Sequence, residues 1–368
     1  MLGSPLYGSL LRHAAADLLA GGPTADVLEG HLSDRGRSAL ALRMLGGAHA
    51  LALTGQAPEL AAFYPSAVGA GSGAAGSGAA GFGAADSGAA DSGAAGPGVA
   101  DPGADGSRAW QALRHVLASR ADAVLPWLDQ PPQTNEVGRG AVLAGLLCHL
   151  VAEADLPVRL VEVGASAGLN LRADRFRISG AGVAYGAESS PVQMPGGWRG
   201  EPPPVRPIEV AWRTGGDVSP VDPGTAAGRL RLTSYVWPDQ VQRLARLRGA
   251  LDLAADVPVD LRTEPASRTV SRVGLEPGTW TVLWHSIMAQ YLSAEETAAL
   301  AAGVAALGAA ASSSARFGYL TLEFVGGGAV PPAELTTWPG GQRRRLGTAP
   351  AHGVPVTWGP QRMAPTTL

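Results

Sequence analysis

The sequence predicts an α/β protein: a mostly parallel sheet with an antiparallel terminal pair, preceded by an α-helical N-terminal part. Three observations predict it. From residue 158 onward, short β-rich runs alternate with helical ones, the pattern of parallel strands joined by crossover helices. Before residue 155, apolar residues recur at helical spacing only. The last two β-rich runs, near 335–338 and 354–358, follow each other with turn-rich sequence and no helix between them, so they are expected to pair antiparallel.

The elements follow in order. Leu6, Leu10, Leu11, Ala14 and Leu18 share one helical face, and Gly21, Gly22 and Pro23 end that helix. A second helix runs from about 38 to 53 and stops at Gly55. From about 68 to 106 the chain repeats Gly-Ser-Gly-Ala-Ala and Asp-Ser-Gly-Ala-Ala units. Such units bury too little apolar surface to offset chain entropy, so a disordered surface insertion is expected. Helical spacing resumes after Ser107, an N-cap, with Trp110, Leu113 and Leu117 on one face, and again from about 136 to 154. Strands are expected at 159–163, 208–214, 257–263, 280–284 and 317–324. A helix after Pro238 turns Val241, Leu244, Leu247 and Leu251 inward, and Ser293 with Glu296 forms a capping box for another. The long stretch 170–207, containing Trp198, reads as a lid or hairpin. This divides the chain into a helical cap and substrate region, 1–155, and a Rossmann-like sheet domain, 156–368.

Composition narrows the partners. A chain of 368 residues with 46% hydrophobic content has core enough for one large or two ordinary domains. A net charge of -3 argues against nucleic acid or an anionic membrane as the main partner. Arg343, Arg344 and Arg345 read as a solvated hairpin tip. The single cysteine, Cys148, excludes a disulfide framework and a thiolate zinc site, and its apolar neighbours mark a buried inert thiol. No apolar run approaches the roughly 20 residues of a membrane span, and no secretory signal pattern is evident, so a cytoplasmic protein is expected. The histidines lack metal-ligand spacing, so no metal site is expected. Asp217, Asp222 and Asp239 read as an acidic set for a cation or amine, and Trp198, Trp237 and Trp338 as parts of a substrate wall.

The chemistry concentrates where a strand meets a turn and a helix: Glu162-Val-Gly164-Ala-Ser166-Ala-Gly168-Leu-Asn170. Strand carboxyl ends and helix N-termini converge at such a point. Three readings stand. In a nucleotide-cofactor loop, Gly164 makes the tight turn, Ala165 and Ser166 let a ligand approach the backbone, and Gly168 permits close helix packing. In a nucleophile elbow, Gly-Ala-Ser-Ala-Gly matches Gly-x-Ser-x-Gly, with Ser166 as nucleophile and His285 or His352 as base. In the third, small residues simply pack a junction. The hydrolase reading needs earlier strands, and only helices precede this one. Thr134-Asn135-Glu136 reads as a helix start, with Asn135 as N-cap and Glu136 favourable to the helix dipole.

With its leading acid, the loop resembles the first motif of S-adenosylmethionine-dependent methyltransferases, although Ser166 stands where that family has its middle glycine. The resemblance covers about 158–359. It implies S-adenosylmethionine as cofactor, a small-molecule substrate, and a cofactor site made by Glu162, Gly164, Ala165, Ser166, Gly168, Asp217 after the second strand and Glu264 after the third. It implies that His285 orients or deprotonates the acceptor. Asn135, Glu136 and Arg139, on the helix before the first strand, read as reaching into the cofactor or substrate pocket. A serine hydrolase and a non-catalytic binding module are the alternatives. Most of the chain also resembles an uncharacterised bacterial family, domain of unknown function 2332, through Thr134-Asn-Glu-Val-Gly-Arg139, the 161–171 run, Gly216-Asp-Val-Ser-Pro-Val-Asp222 and Tyr235-Val-Trp-Pro-Asp239. That family implies no activity. It implies that the helical and α/β parts are one unit.

Overall fold

The structure, a computed structural model, describes residues 3–34, 39–67 and 102–359. The repeats at 68–101 lie outside the described residues. Those described form two compact units. One holds the residues up to Pro132 together with Thr233–Val241, and the other holds Gln133–Leu232 and the residues from Gln242 onward.

The first unit is helical: α1 (Pro5–Leu19), α2 (Pro23–Leu28), α3 (Leu40–Leu53), α4 (Pro58–Ala61), α5 (Pro102–Ser119) and α6 (Ala121–Leu128). Pro5 fits the first turn of α1 because it lacks an N–H that would go unpaired there, and Ser4 Oγ accepts from Tyr7 N at 2.9 Å. The expected inward face of α1 is buried at Leu10 and Ala14, packing with Met44, Leu45, Leu60, Leu113 and Leu117. Arg43 is buried within α3 and its two terminal nitrogens donate to the Leu128 carbonyl and the Asp34 carboxylate. α5 begins ahead of the cap expected at Ser107.

The second unit opens with α7 (Gly140–Glu153) and β1 (Val158–Val163), which runs into a 3-10 helix, Leu169–Arg175. Then come β2 (Arg177–Gly180), β3 (Val183–Tyr185), β4 (Gln193–Met194), β5 (Trp198–Gly200), β6 (Val210–Asp217), α8 (Ala226–Ser234), α9 (Val241–Asp256), β7 (Asp260–Thr263) and α10 (Ala266–Ser271). It closes with β8 (Thr279–Ser286), α11 (Ala294–Ala310), β9 (Ala315–Leu322), β10 (Pro332–Trp338), β11 (Gln342–Thr348) and β12 (Val356–Trp358). The nine-stranded sheet has the order β5-β12-β11-β10-β9-β8-β1-β6-β7. Strands β7, β6, β1, β8 and β9 pair parallel. Numbered by appearance, these run 3-2-1-4-5, the Rossmann order, whose direction reverses between β1 and β8. β9 to β12 pair antiparallel, as expected for the end of the chain.

Several expectations are corrected. The terminal pair is a three-stranded meander. Arg343, Arg344 and Arg345 sit in its middle strand and not at a hairpin tip. They are held there by carboxylates: Arg343 and Arg345 meet Glu334 of the neighbouring strand, at 2.5 and 3.2 Å, and Arg344 meets Glu153. The 170–207 stretch does contain a hairpin, β2 with β3. It makes a small β3-β2-β4 sheet and then β5, which pairs with β12. Trp198 is core, 1% exposed, and its indole donates to the Ala141 carbonyl at 2.9 Å. Trp338 stacks on Phe317 at 5.2 Å. Ser293 does accept from Glu296 N, at 3.1 Å, but the Glu296 carboxylate goes to Ser267 N and Oγ, so only half the capping box forms.

α7 is buried along almost its whole length. Its glycines allow this: a Cβ at Gly145 would lie 2.0 Å from Trp358 of β12. Gly145→Ala is therefore expected to overpack this contact and lower stability by about 1–3 kcal/mol. Urea denaturation would show it as a lower midpoint at unchanged slope. Cys148 lies on the same helix, buried, and burial pushes its thiol up to about 11, as an inert thiol requires. Among the described residues no helix is long and apolar enough to cross a membrane.

Candidate functional site

In an open α/β sheet the crevice beyond the strand carboxyl ends, at the reversal of strand order, is where ligands bind. Here that point follows β1 and β8. The turn after β1 folds back on β6: Gly164 N and Ala165 N both donate to the Gly216 carbonyl, at 2.9 and 3.1 Å. Gly215 makes the approach possible, since a Cβ there would meet the Ala165 methyl at 2.6 Å. Gly164, Ser166 and Gly168 adopt left-handed conformations, φ 70°, 52° and 64°. Two of the three are glycines, for which this costs nothing.

Ser166 is the exception, and three hydrogen bonds hold it. Its N–H donates to Asp217 Oδ2 at 2.9 Å, its hydroxyl to Gln133 Oε1 at 2.9 Å, and its carbonyl accepts from Val221 N at 3.2 Å. Tertiary bonds of this kind over-determine a strained residue. They also settle where the hydroxyl points. Among the described residues no histidine is its partner: His285 binds Glu323 and Tyr319, and His352 binds Glu136. The backbone is elbow-like, but the Ser166 hydroxyl is committed to Gln133.

The turn does not open into an α-helix. The segment Leu169–Arg175 is a 3-10 helix, irregular at Arg172, so the helix N-terminus expected after Gly168 is not formed. The reason is tertiary. Arg172 is buried and donates to the carbonyls of Gly168 and Val257, at 2.9 and 2.8 Å, which draws the backbone off the helical path. Asn135 does cap a helix, but this one: its Oδ1 accepts from Leu169 N at 2.8 Å. The cap of the 3-10 turn Val137–Arg139 that leads into α7 is Glu136, accepting from Gly138 N at 3.4 Å.

Behind the turn lies a charge network centred on the buried Glu136. Glu136 meets Arg243 at 2.6 Å and His352 Nδ1 at 3.0 Å. Burial works against its charge, but His352 and the arginines win and hold the carboxyl down at about 2. Arg139 donates to the carbonyls of Ala351 and Ser286, both at 3.0 Å. Burial lowers its pKa, and Glu136, Glu323 and Glu162 offset part of that. Glu162, on β1 one residue before the turn, is 2% exposed and its Oε2 has no hydrogen-bond partner. Burial pushes this carboxyl up to about 8. Asp217 adds to the rise, while Trp284, Arg139 and Arg172 oppose it.

His285 ends β8 and is almost fully buried. Nδ1 lies 2.7 Å from Glu323 Oε1 and Nε2 2.7 Å from the Tyr319 hydroxyl. A carboxylate only accepts, so Nδ1 donates, and in the neutral ring Nε2 accepts from Tyr319. Glu323 Oε1 also accepts from Met288 N and Ala289 N, at 3.1 and 3.4 Å. Glu264 is engaged by Arg272 at 2.6 Å. The three acids read as one set are separate: Asp217 serves Ser166 and Ser219, Asp222 caps its own turn at Gly224, and Asp239 belongs to the helical unit. No metal-ligand group of three or more His, Cys, Asp or Glu exists among the described residues.

A family model described as an uncharacterized protein conserved in bacteria, DUF2332, matches residues 1–88 and 96–358. The chain belongs to the DUF2332 family. No curated protein and no solved structure matches it. In this DUF2332 chain the structure brings together Asn135, Glu136 and Arg139, the 162–168 turn and Asp217. It brings Glu264 only as far as the Asp217 carbonyl, to which Glu264 N donates at 2.9 Å. Sequence reasoning missed Gln133, Arg243, Tyr319 and Glu323. For Glu323 a signal existed, a lone carboxylate at the end of an apolar parallel strand. Gln133 and Arg243 carried none, because their roles exist only across the fold.

Proposed function

We propose that this DUF2332 protein binds S-adenosylmethionine at the carboxyl ends of β1, β6 and β8 and transfers its methyl group to a small molecule. The observation that carries the reading is the 3-2-1-4-5 strand order, with a glycine turn at its reversal point and an acid, Asp217, ending the adjacent strand. The residues fit the cofactor's chemistry. Glu162 Oε2 is buried with no hydrogen-bond partner among the described residues, and an ammonium group placed there would favour the ionised carboxylate over the protonated form that burial alone favours. Each Asp217 oxygen takes one backbone N–H, and a carboxylate has about four acceptor sites, which leaves capacity for ribose hydroxyls. Ser166 stands in place of the middle glycine yet keeps a glycine-like backbone.

When bound, the cofactor supplies an electrophilic methyl group. The chain's task is then to position the acceptor and handle its proton, and positioning alone supplies much of such a rate. Both ring nitrogens of His285 are engaged, so it acts through Glu323. Three donors fix Glu323 Oε1, and Oε2, which makes no hydrogen bond among the described residues, is the atom to hold the acceptor's proton.

Calorimetric titration with S-adenosylmethionine and S-adenosylhomocysteine tests the reading. Dissociation constants on the order of 1 μM are expected, weakened about tenfold or more in Asp217→Ala and in Glu162→Gln. Absence of heat with both ligands would sink the proposal.

A further inference from the structure

Helix α9 carries a charge imbalance that methyl transfer does not use. Its inward face buries Leu244, Leu247, Ala250 and Leu251. Arg243 and Arg246 border that face, both half-buried and one turn apart. Residues at this spacing are neighbours on a helix surface, about 5–6 Å apart at Cβ. Arg243 is anchored to Glu136 Oε2 at 2.6 Å. The same oxygen accepts from His352 Nδ1 at 3.0 Å, and Oε1 accepts from Gly138 N at 3.4 Å. Arg246 has no such anchor. Its Nε is buried without a hydrogen-bond partner. Its terminal nitrogens, equally unpaired among the described residues, are open to solvent.

Other partly buried arginines of this unit are satisfied from within the fold. Arg172 donates to the Gly168 and Val257 carbonyls, Arg213 to both oxygens of Asp174, and Arg272 to Glu264. Arg246 instead faces a like charge. Burial holds its pKa down, Glu136 offsets part of that, and Arg243 lowers it further. An anion lying against both guanidinium groups would relieve this repulsion. It would reach them from solvent and needs no closed cavity, since His352, on the same Glu136 carboxylate, has a side chain 48% exposed.

The charge count selects the anion. Arg243 and Arg246 bring two positive charges, and Glu136 brings one negative. Arg139, a third arginine whose charge Glu136 feels, is turned to the Ala351 and Ser286 carbonyls. One positive charge is left over, which matches a single carboxylate. The planar guanidinium fork also matches the two oxygens of that group. Asn170, just past the 162–168 turn, donates from Nδ2 to the Glu136 carbonyl at 3.3 Å, so the arginine pair stands beside the candidate site.

We propose that Arg246, backed by Arg243, binds the carboxylate of a small-molecule ligand. The site does not depend on the methyl-transfer reading and is tested without cofactor.

The test is calorimetric titration of the full chain with sodium propionate. Controls are propionamide, which has the same shape and no charge, and sodium chloride at matched ionic strength. Saturable heat is expected with propionate alone, with a dissociation constant on the order of 1 mM. Affinity should fall about tenfold in Arg246→Gln. That side chain bonds no other described residue, so the variant keeps the fold, which circular dichroism verifies. Arg248→Gln, on the exposed side of α9, should bind as the parent does. No saturable heat with propionate overturns the proposal. So does equal binding of propionamide or chloride, or parent-like affinity in folded Arg246→Gln. An equal fall in Arg248→Gln would mean general attraction by surface charge and overturns it too.

Discussion

Glu162→Gln is expected to flatten the dependence of stability on pH. In the unfolded chain this carboxyl ionises near 4.5, and in the fold burial holds its proton until about pH 8. The fold thus has its full stability below the unfolded value. It loses stability as pH rises between the two values, and the whole cost is present above the folded one. At about 1.4 kcal/mol per unit, a shift of this size amounts to about 5 kcal/mol. Glutamine carries no charge at any pH and removes the effect. It also buries an amide with incomplete partners, which costs about 1–3 kcal/mol. The variant should therefore be less stable than the parent at pH 4.5 and more stable at pH 8.5. Urea denaturation across that range measures both curves, and parallel curves would refute the assignment.

The opposite behaviour is expected at Glu136. Its carboxyl is held at about 2 by His352 and the arginines despite burial. It contributes stability that is fully present above the unfolded value near 4.5 and lost as pH falls through about 2. Glu136→Gln takes the charge from a buried ion pair with Arg243 and leaves that guanidinium without its carboxylate. Breaking a buried pair from one side costs about 3–5 kcal/mol. Thermal and urea denaturation at pH 7 should show a loss of that order, shrinking as pH approaches 2. A loss under about 1 kcal/mol would mean that the network tolerates the missing charge.

The two carboxylates differ although both are buried, and the contrast explains what was legible. Parallel strands are buried on both faces, so β1, β8 and β9 are written as apolar runs and could be placed from residue type. The helical face of α1 and the turn glycines 164 and 168 were legible because period and φ preference are local properties. The position of Asp217 followed from strand counting. Its partner did not, because the bond to Ser166 N joins segments 51 residues apart. Likewise Glu136 was visible as a helix-start acid, but not as the partner of Arg243 and His352. β11 was missed because three arginines oppose strand propensity locally, and only Glu334 and Glu153 on other elements make them favourable. The 3-10 turn after Gly168 was misread as an α-helix because the carbonyls that capture Arg172 come partly from Val257, far along the chain. By itself, then, the sequence determined the fold class and the chain positions of the five parallel strands, both consequences of local periodicity and burial. The tertiary structure alone decided which polar groups meet, and so which carboxyl keeps its proton, because charge and hydrogen bonding depend on distance in space.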